Sequence, residues 1–160
     1  MRRRFVAPAV VAVLLAFPVG CLAGDHHTLY VQVASYVHYH SSPEHKGPPI
    51  LGAAELHWPD DNQFMGAALF NNSFGQFSQF VYYGWQFPLD WIHTGLHLKV
   101  PVGFIHGYRG DHQGDIPLNR FGVAPAILPG IGYKQGRWGA DVVMLGTAAL
   151  LFSVGYEFGD

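Results

Sequence analysis

Hydrophobic side chains recur at every second position along most of this chain, and a period of two means strands. The pattern is cleanest where Leu96, Leu98, Val100, Val102 and Phe104 share one face while His97, Lys99, Pro101 and Gly103 share the other. Eight such segments can be traced between turn signals. The first interleaves Leu29, Val31, Val33, Val37 and Tyr39 with Gln32, Tyr36, His38 and His40. The second runs from Ile50 to Trp58 and sets Glu55 and His57 against Ala54, Leu56 and Trp58. The third is Phe64 to Asn71, the fourth Phe77 to Phe87, the fifth the one quoted above and the sixth Phe121 to Lys134. The seventh sets Trp138, Ala140, Val142 and Met144 against Asp141, and the eighth sets Leu150, Phe152, Val154, Tyr156 and Phe158 against Ser153, Gly155 and Glu157.

A half-buried soluble sheet also alternates. Three features favour strands that cross a bilayer. Many segments are about ten residues long, the length of a tilted span. Trp58, Trp85, Trp91, Trp138 and Tyr156 gather at segment ends, where an interfacial belt sits. The count is even, as closure of a bacterial barrel requires. Composition agrees, because 12% of the residues are charged and 49% are hydrophobic, against about 25% charged in a soluble domain. The expected fold is all-β, an eight-stranded antiparallel up-and-down transmembrane β-barrel.

The N-terminus reads as an export signal. Arg2, Arg3 and Arg4 precede an apolar run from Phe5 to Val19, and Cys21-Leu22-Ala23 closes on a small residue. The run is shorter than the roughly 20 residues of a spanning helix. Processing at Cys21 as a lipoprotein would place Pro18 where Leu is usual, so cleavage after Ala23 is the expectation. Residues 1–23 are then a signal peptide and 24–160 the barrel, placed in a bacterial outer membrane. Cleavage removes the sole Cys, and with it disulfides and thiol chemistry. It leaves six basic against eleven acidic residues, which argues against a nucleic-acid partner.

Barrel termini normally face the periplasm, with short turns there and longer loops outside. Pro59 to Asn62, Pro88 to Trp91 and Gln135-Gly136 are the short turns. Ser41 to Pro49, Asn72 to Gln76, Gly107 to Arg120 and Gly146-Thr147 then lie outside, so His38, Asn72 and Ser73 fall near the outer rim. Glu55, Lys99, Asp141 and Glu157 point into a lumen just wide enough to be filled or to hold one small ligand, and buried charges there are expected to pair with one another. Phe70, Phe74, Phe77, Phe104 and Ile105 give an apolar outer half above that plug, able to hold one acyl chain. Pro101, Pro125 and Pro129 interrupt strands, which proline normally avoids. They mark either bends or a side opening for a lipid tail.

Sites for chemistry are sparse. Ten His residues show no paired ligand spacing with Cys or carboxylate, so no metal is expected. No P-loop, dinucleotide glycine pattern or Gly-x-Ser-x-Gly occurs, and no cofactor is expected. Ser73 with a nearby His is the remaining pair, since a hydroxyl needs a base to act as a nucleophile. Asn71-Asn72-Ser73-Phe74-Gly75 is equally a good turn sequence.

Met65-Gly66-Ala67-Ala68-Leu69-Phe70-Asn71-Asn72-Ser73-Phe74, followed by Val81-Tyr82-Tyr83-Gly84-Trp85, resembles the lipid A palmitoyltransferase family. Val37-His38 and Gly132-Tyr133 extend the likeness loosely over most of the chain after residue 23. Members are eight-stranded outer-membrane barrels that move a palmitoyl chain from a glycerophospholipid to lipid A. The resemblance implies His38 as general base, Ser73 as its catalytic partner and Gly84 as the floor of the acyl pocket. Asn72 stands where the family has Asp. It carries no charge to stabilise an imidazolium, though its carbonyl could orient His38. Asp111 or Asp115 could substitute for it. The family's amphipathic helix before strand one and its terminal aromatic have no counterpart here. Lys46, Arg109 and Arg120, in the outer loops, are candidates to hold lipid A phosphates. The expected function is therefore an outer-membrane acyltransferase, monomeric and without a cofactor, with glycerophospholipid as donor and lipid A as acceptor. A lipid hydrolase on the same barrel and a non-enzymatic structural barrel are the rivals.

Overall fold

The computed structural model describes residues 27–39, 51–72, 74–108, 118, 119, 122–147 and 149–159, the side chains of 35–39 excepted. The expected signal, residues 1–23, lies outside the described residues. Nine strands form among them: β1 (Thr28–Tyr39), β2 (Leu51–Trp58), β3 (Gln63–Asn71), β4 (Phe77–Pro88), β5 (Leu96–His106), β6 (Val123–Ile127), β7 (Gly130–Gln135), β8 (Trp138–Leu145) and β9 (Ala149–Phe158). Neighbours pair antiparallel in chain order, β1 closes on β9, and β6 and β7 both pair with β5. The result is a closed eight-stranded antiparallel barrel.

The expected segment six is thus two strands on one stave. β5 pairs Lys99 with Gly130 and Val102 with Ile127, so the register runs on unchanged past Leu128 and Pro129. Pro129 has no N–H to give the ladder. Pro101, opposite this break on β5, accepts a bond from the Leu128 N–H at 3.1 Å. β1 carries an irregularity instead, because one extra residue separates the pairs Ala34↔Ser153 and Tyr36↔Phe152.

Alternation sorts the side chains as the period requires. In β4 the even positions from Ser78 to Gly84 are buried and the odd positions from Phe77 to Trp85 are exposed. Every Asp, Glu and Lys in the described strands points inward: Glu55, Lys99, Lys134, Asp141 and Glu157. Among the described side chains the outward wall is Leu, Val, Ile, Met, Ala, Pro and aromatic, with polar side chains towards strand ends, at Gln63, Asn71, Gln79, His106 and Gln135. Two expected lining residues are corrected here. Phe77 and Phe104 are 51% and 64% exposed and face outward, because each sits on the odd face of β4 or the even face of β5. Ile105 does face inward, and Phe70 packs against the inner cluster.

The turn at 59–62, that at 89–95 and that at 136–137 share the end that holds Thr28 and Phe158, here the lower end. The turns at 72–76 and 146–147 share the upper end with His106 and Val123. This matches the division of turns between the two rims read from loop lengths.

Candidate functional site

The lower half of the lumen is a polar plug. The Lys99 ammonium donates to Glu55 at 2.5 Å, and Glu55 also takes bonds from Tyr82 Oη and His57 Nε2, each at 2.8 Å. Glu55 and Lys99 are 2% and 4% exposed. The Lys99 nitrogen lies 5.3 Å from the centre of the Tyr30 ring and 4.9 Å from that of Phe64, so its positive charge sits between two aromatic faces. Asp141 accepts from Tyr30 at 3.4 Å and faces His97 Nε2 at 3.3 Å. Nearer the lower rim Lys134 and Thr28 both reach Glu157, at 2.5 and 3.1 Å. Above, Ser153 donates to Gln32 at 3.2 Å. A void of about 20 Å³ among Tyr30, His57, Gln86, His97, Lys99, Lys134 and Glu157 has room for a single water. The expected pairing of inward charges therefore holds for Glu55 with Lys99. Asp141 and Glu157 find His97 and Lys134 instead.

Glycines admit these rings. A Cβ at Gly155 would stand within 2.7 Å of the Tyr30 ring, and one at Gly139 within 3.4 Å of it. Above the plug the lining becomes small and apolar. Ala34, Ala53, Ala68, Ala124, Ala126 and Ala149 face inward there, with Phe80, Ile105 and Leu151. Ala53, Ala68, Phe80 and Ile105 belong to one buried cluster, and Leu51, Phe70, Tyr108, Ala126 and Leu128 pack against it.

The wall beside this half is paired on one side only. β6 bonds to β5, and among the described residues no ladder joins it to β8. The cause lies in the next hairpin. β8 turns at Gly146–Thr147 and pairs Leu145 with Ala149, so it ends level with Pro129, whose carbonyl takes the Met144 N–H at 2.8 Å. β6 continues above that point with no neighbour on its other side among the described residues, and Pro125 on its outward face has no N–H to offer one.

The candidate residues divide accordingly. His38 lies in the upper part of β1, in register with Leu150 of β9. Asn72 is at the same end, in the turn after β3, with β2 between β3 and β1. Asn72 is 3% exposed. Its Oδ1 accepts the N–H groups of Phe74 and Gln76 at 3.1 and 2.9 Å, and its Nδ2 donates to Gln76 Oε1 at 3.3 Å. A carbonyl oxygen has two lone pairs, and both are engaged in this turn, which Gly75 completes at φ +76°. Asn72 thus shapes the turn, and its carbonyl is not left over to orient a base. Ser73, Lys46, Arg109, Arg120, Asp111 and Asp115 lie outside the described residues.

Gly84 faces the lumen in the lower half, opposite Phe64 of β3 and Pro101 of β5. The Phe64 ring, fully buried, covers it: a Cβ there would lie 2.5 Å from Phe64 Cζ and 2.8 Å from the Val100 carbonyl oxygen. Phe64 stacks on His57 at 5.3 Å and meets Tyr82 edge-on at 6.2 Å. Two of the plug's aromatic members, Tyr30 and Phe64, escape a sequence reading. Only their parity with Gln32 and Gly66 points them inward.

Among the described residues no group of three or more His, Cys, Asp or Glu side chains could hold a metal ion. No protein-family model matches the chain, and no curated protein does.

Proposed function

We propose that this chain is an outer-membrane acyltransferase that moves an acyl chain from a glycerophospholipid to lipid A. The observation that carries the reading is the one-sided pairing of β6 beside the alanine-lined half of the lumen. A strand edge with no second partner among the described residues, in an apolar wall, is the place where a lipid tail could enter sideways, past the small inward residues behind it. The polar plug limits the depth of entry.

The membrane setting is supported by the outward wall. Leu96 to Phe104 on β5 is uncharged on its outward face, and spans about 20 Å along the axis at ordinary strand rise and tilt. That approaches the roughly 25 Å apolar band of bacterial barrels. A hydrogen-bonded Gln79–His106 pair, 3.0 Å apart, bounds it above.

In the proposed reaction His38 takes the proton of an acceptor hydroxyl, whose oxygen bonds to the acyl carbonyl carbon. The glycerol oxygen leaves and receives that proton, giving a lysophospholipid and acylated lipid A. Ser73, next in sequence to Asn72, is the proposed partner of His38. Lys46, Arg109 and Arg120 are proposed to hold the acceptor's phosphates, and Gly84 with Phe64 above it to close the acyl site. The resemblance of residues 65–85 to the lipid A palmitoyltransferases supports the assignment of the donor and acceptor.

The test is mass spectrometry of lipid A after incubation with phospholipid and refolded protein, wild type and His38→Ala. Lipid A that gains one acyl chain with the wild type alone is the expected result. Free fatty acid without acylated lipid A would make the protein a hydrolase. Neither product from a folded barrel would leave it a structural barrel.

A further inference from the structure

The described strands send three carboxylates into the lumen, Glu55, Asp141 and Glu157, and two ammoniums, Lys99 and Lys134. Each ammonium is committed to one carboxylate, Lys99 to Glu55 and Lys134 to Glu157. Among the described residues no Lys or Arg reaches Asp141, which is 4% exposed. A carboxylate buried that far needs a positive neighbour or a proton. Its neighbour is His97, and strand register builds the meeting. Gly132 of β7 pairs with His97 of β5 on one side and with Asp141 of β8 on the other. The middle member of this row has no side chain, so the outer two meet over it, His97 Nε2 to Asp141 Oδ1 at 3.3 Å. A Cβ at Gly132 would collide with both atoms.

The second ring nitrogen, His97 Nδ1, lies 3.2 Å from the Gly95 carbonyl oxygen. That oxygen also takes the Lys134 N–H at 2.9 Å, so the turn and β7 hold it in place. A carbonyl oxygen can only accept, and so can an ionised carboxylate. Both nitrogens of His97 therefore face acceptors, while a neutral imidazole has a single N–H to give. His57 differs, because its Nε2 meets Glu55 and one N–H satisfies that contact.

We propose that His97 is a buried imidazolium that clamps β7 between β5 and β8 through Asp141, and that loss of its proton releases the clamp. With that proton the plug carries three positive and three negative charges, Lys99, Lys134 and His97 against Glu55, Asp141 and Glu157. The titratable groups facing the void beside the ring are Tyr30, His57, Lys99, Lys134 and Glu157 from β1, β2, β5, β7 and β9, and β4 adds the uncharged Gln86. Asp141 of β8 meets the ring, and Glu55 and Tyr82 lie behind Lys99. Of these the two histidines titrate nearest neutrality, and of the two His97 is the one with acceptors at both nitrogens. The clamp crosses β7 below Pro129, so its release loosens the lower anchor of the stave whose upper part, β6, has no second neighbour among the described residues. Below about pH 6.5 the unfolded imidazole is protonated too, and the clamp contributes in full. Above that pH folding takes up one proton, and the unfolding constant rises about tenfold per pH unit until the folded ring releases it.

The experiment is NMR of the whole chain in lipid micelles, with histidine labelled at its ring nitrogens and the His97 signals assigned by their absence in His97→Gln. At neutral pH both His97 nitrogens should carry hydrogen, and Asp141→Asn should turn the ring neutral. A neutral ring in the wild type, or one still doubly protonated in Asp141→Asn, overturns the proposal. Urea unfolding between about pH 6.5 and pH 8.5 then counts the proton. The wild-type unfolding constant should rise more steeply, by about tenfold per pH unit, than that of His97→Gln/Asp141→Asn, which keeps the row without charge. Equal slopes overturn the uptake. Hydrogen exchange tests the clamp. The Met144 N–H, bonded to Pro129, should lose protection as the ring loses its proton, while the β3–β4 ladder keeps its own. Unchanged protection of Met144 over a neutral ring overturns the clamp. Should the double variant not fold, the wild-type ring signals and the exchange of Met144 still decide.

Discussion

Replacing Lys99 by Met removes one charge of a buried pair and keeps most of the side-chain volume. Glu55, 2% exposed and 2.5 Å from the Lys99 nitrogen, is then left buried without its cation. Deleting one partner of a buried pair costs about 3–5 kcal/mol, because the other charge stays buried and uncompensated. Two donors remain on Glu55, Tyr82 and His57 at 2.8 Å, and bonds to a charged group are worth about 1.5–3 kcal/mol each. The loss should therefore sit at the low end, about 3 kcal/mol. Glu55→Gln leaves Lys99 with an uncharged amide oxygen and the Tyr30 and Phe64 rings, and no negative charge beside it. Those rings return about 1–2 kcal/mol, so this loss should be the larger. In the double variant Glu55→Gln/Lys99→Met no buried charge is left, and stability should return to within about 1 kcal/mol of the wild type. Equilibrium urea unfolding in phospholipid vesicles, followed by tryptophan emission, measures all four proteins. Single losses below about 1 kcal/mol, or a double variant as unstable as the sum of the singles, would refute the assignment of the plug as one coupled unit.

Gly84→Ala should destabilise by about 1–3 kcal/mol, the usual effect of overpacking, since its Cβ meets Phe64 at 2.5 Å. The same unfolding assay reads it, and a neutral result would mean that Phe64 does not cover Gly84. Gly155→Ala should cost a similar 1–3 kcal/mol by displacing the Tyr30 ring, and Tyr30→Ala in the same chain should remove most of that further loss. Asn72→Ala abolishes the acceptor for two backbone N–H groups and should cost about 1–3 kcal/mol. Asn72→Asp keeps acceptor oxygens and should preserve the turn. If Asn72 acts on transfer through Ser73, Asp restores acyl transfer along with stability in the lipid A assay. Restored stability without restored transfer would count against a positioning role.

Much of the barrel was legible because strand geometry alternates whatever the topology. Leu96 to Phe104 could be assigned to one face before any partner strand was known, and Glu55, Lys99, Asp141 and Glu157 all face inward as their parity required. The same rule should have put Phe77 and Phe104 outside. Hydrophobicity alone does not tell an apolar lumen from an apolar outer wall, and parity does. The candidate site was less legible. His38 and Asn72 fall at one end, as loop lengths implied, but the turn sequence around Asn72 did not disclose that both lone pairs of its carbonyl are taken by Phe74 and Gln76.

Period, composition and turn residues determined by themselves that this chain makes antiparallel strands with an apolar and a charged face. Those properties are set within a few residues of backbone. Closure decided the rest. Lys99 and Glu55 are 44 positions apart and meet because the sheet curls until its inward faces oppose. Phe64 covers Gly84 because the β3–β4 register puts them side by side. Among the described residues β6 lacks a second neighbour because the β8–β9 hairpin turns early, at Gly146–Thr147. Each is a relation between strands that no local pattern encodes, because pairing register and strand length act across the barrel wall.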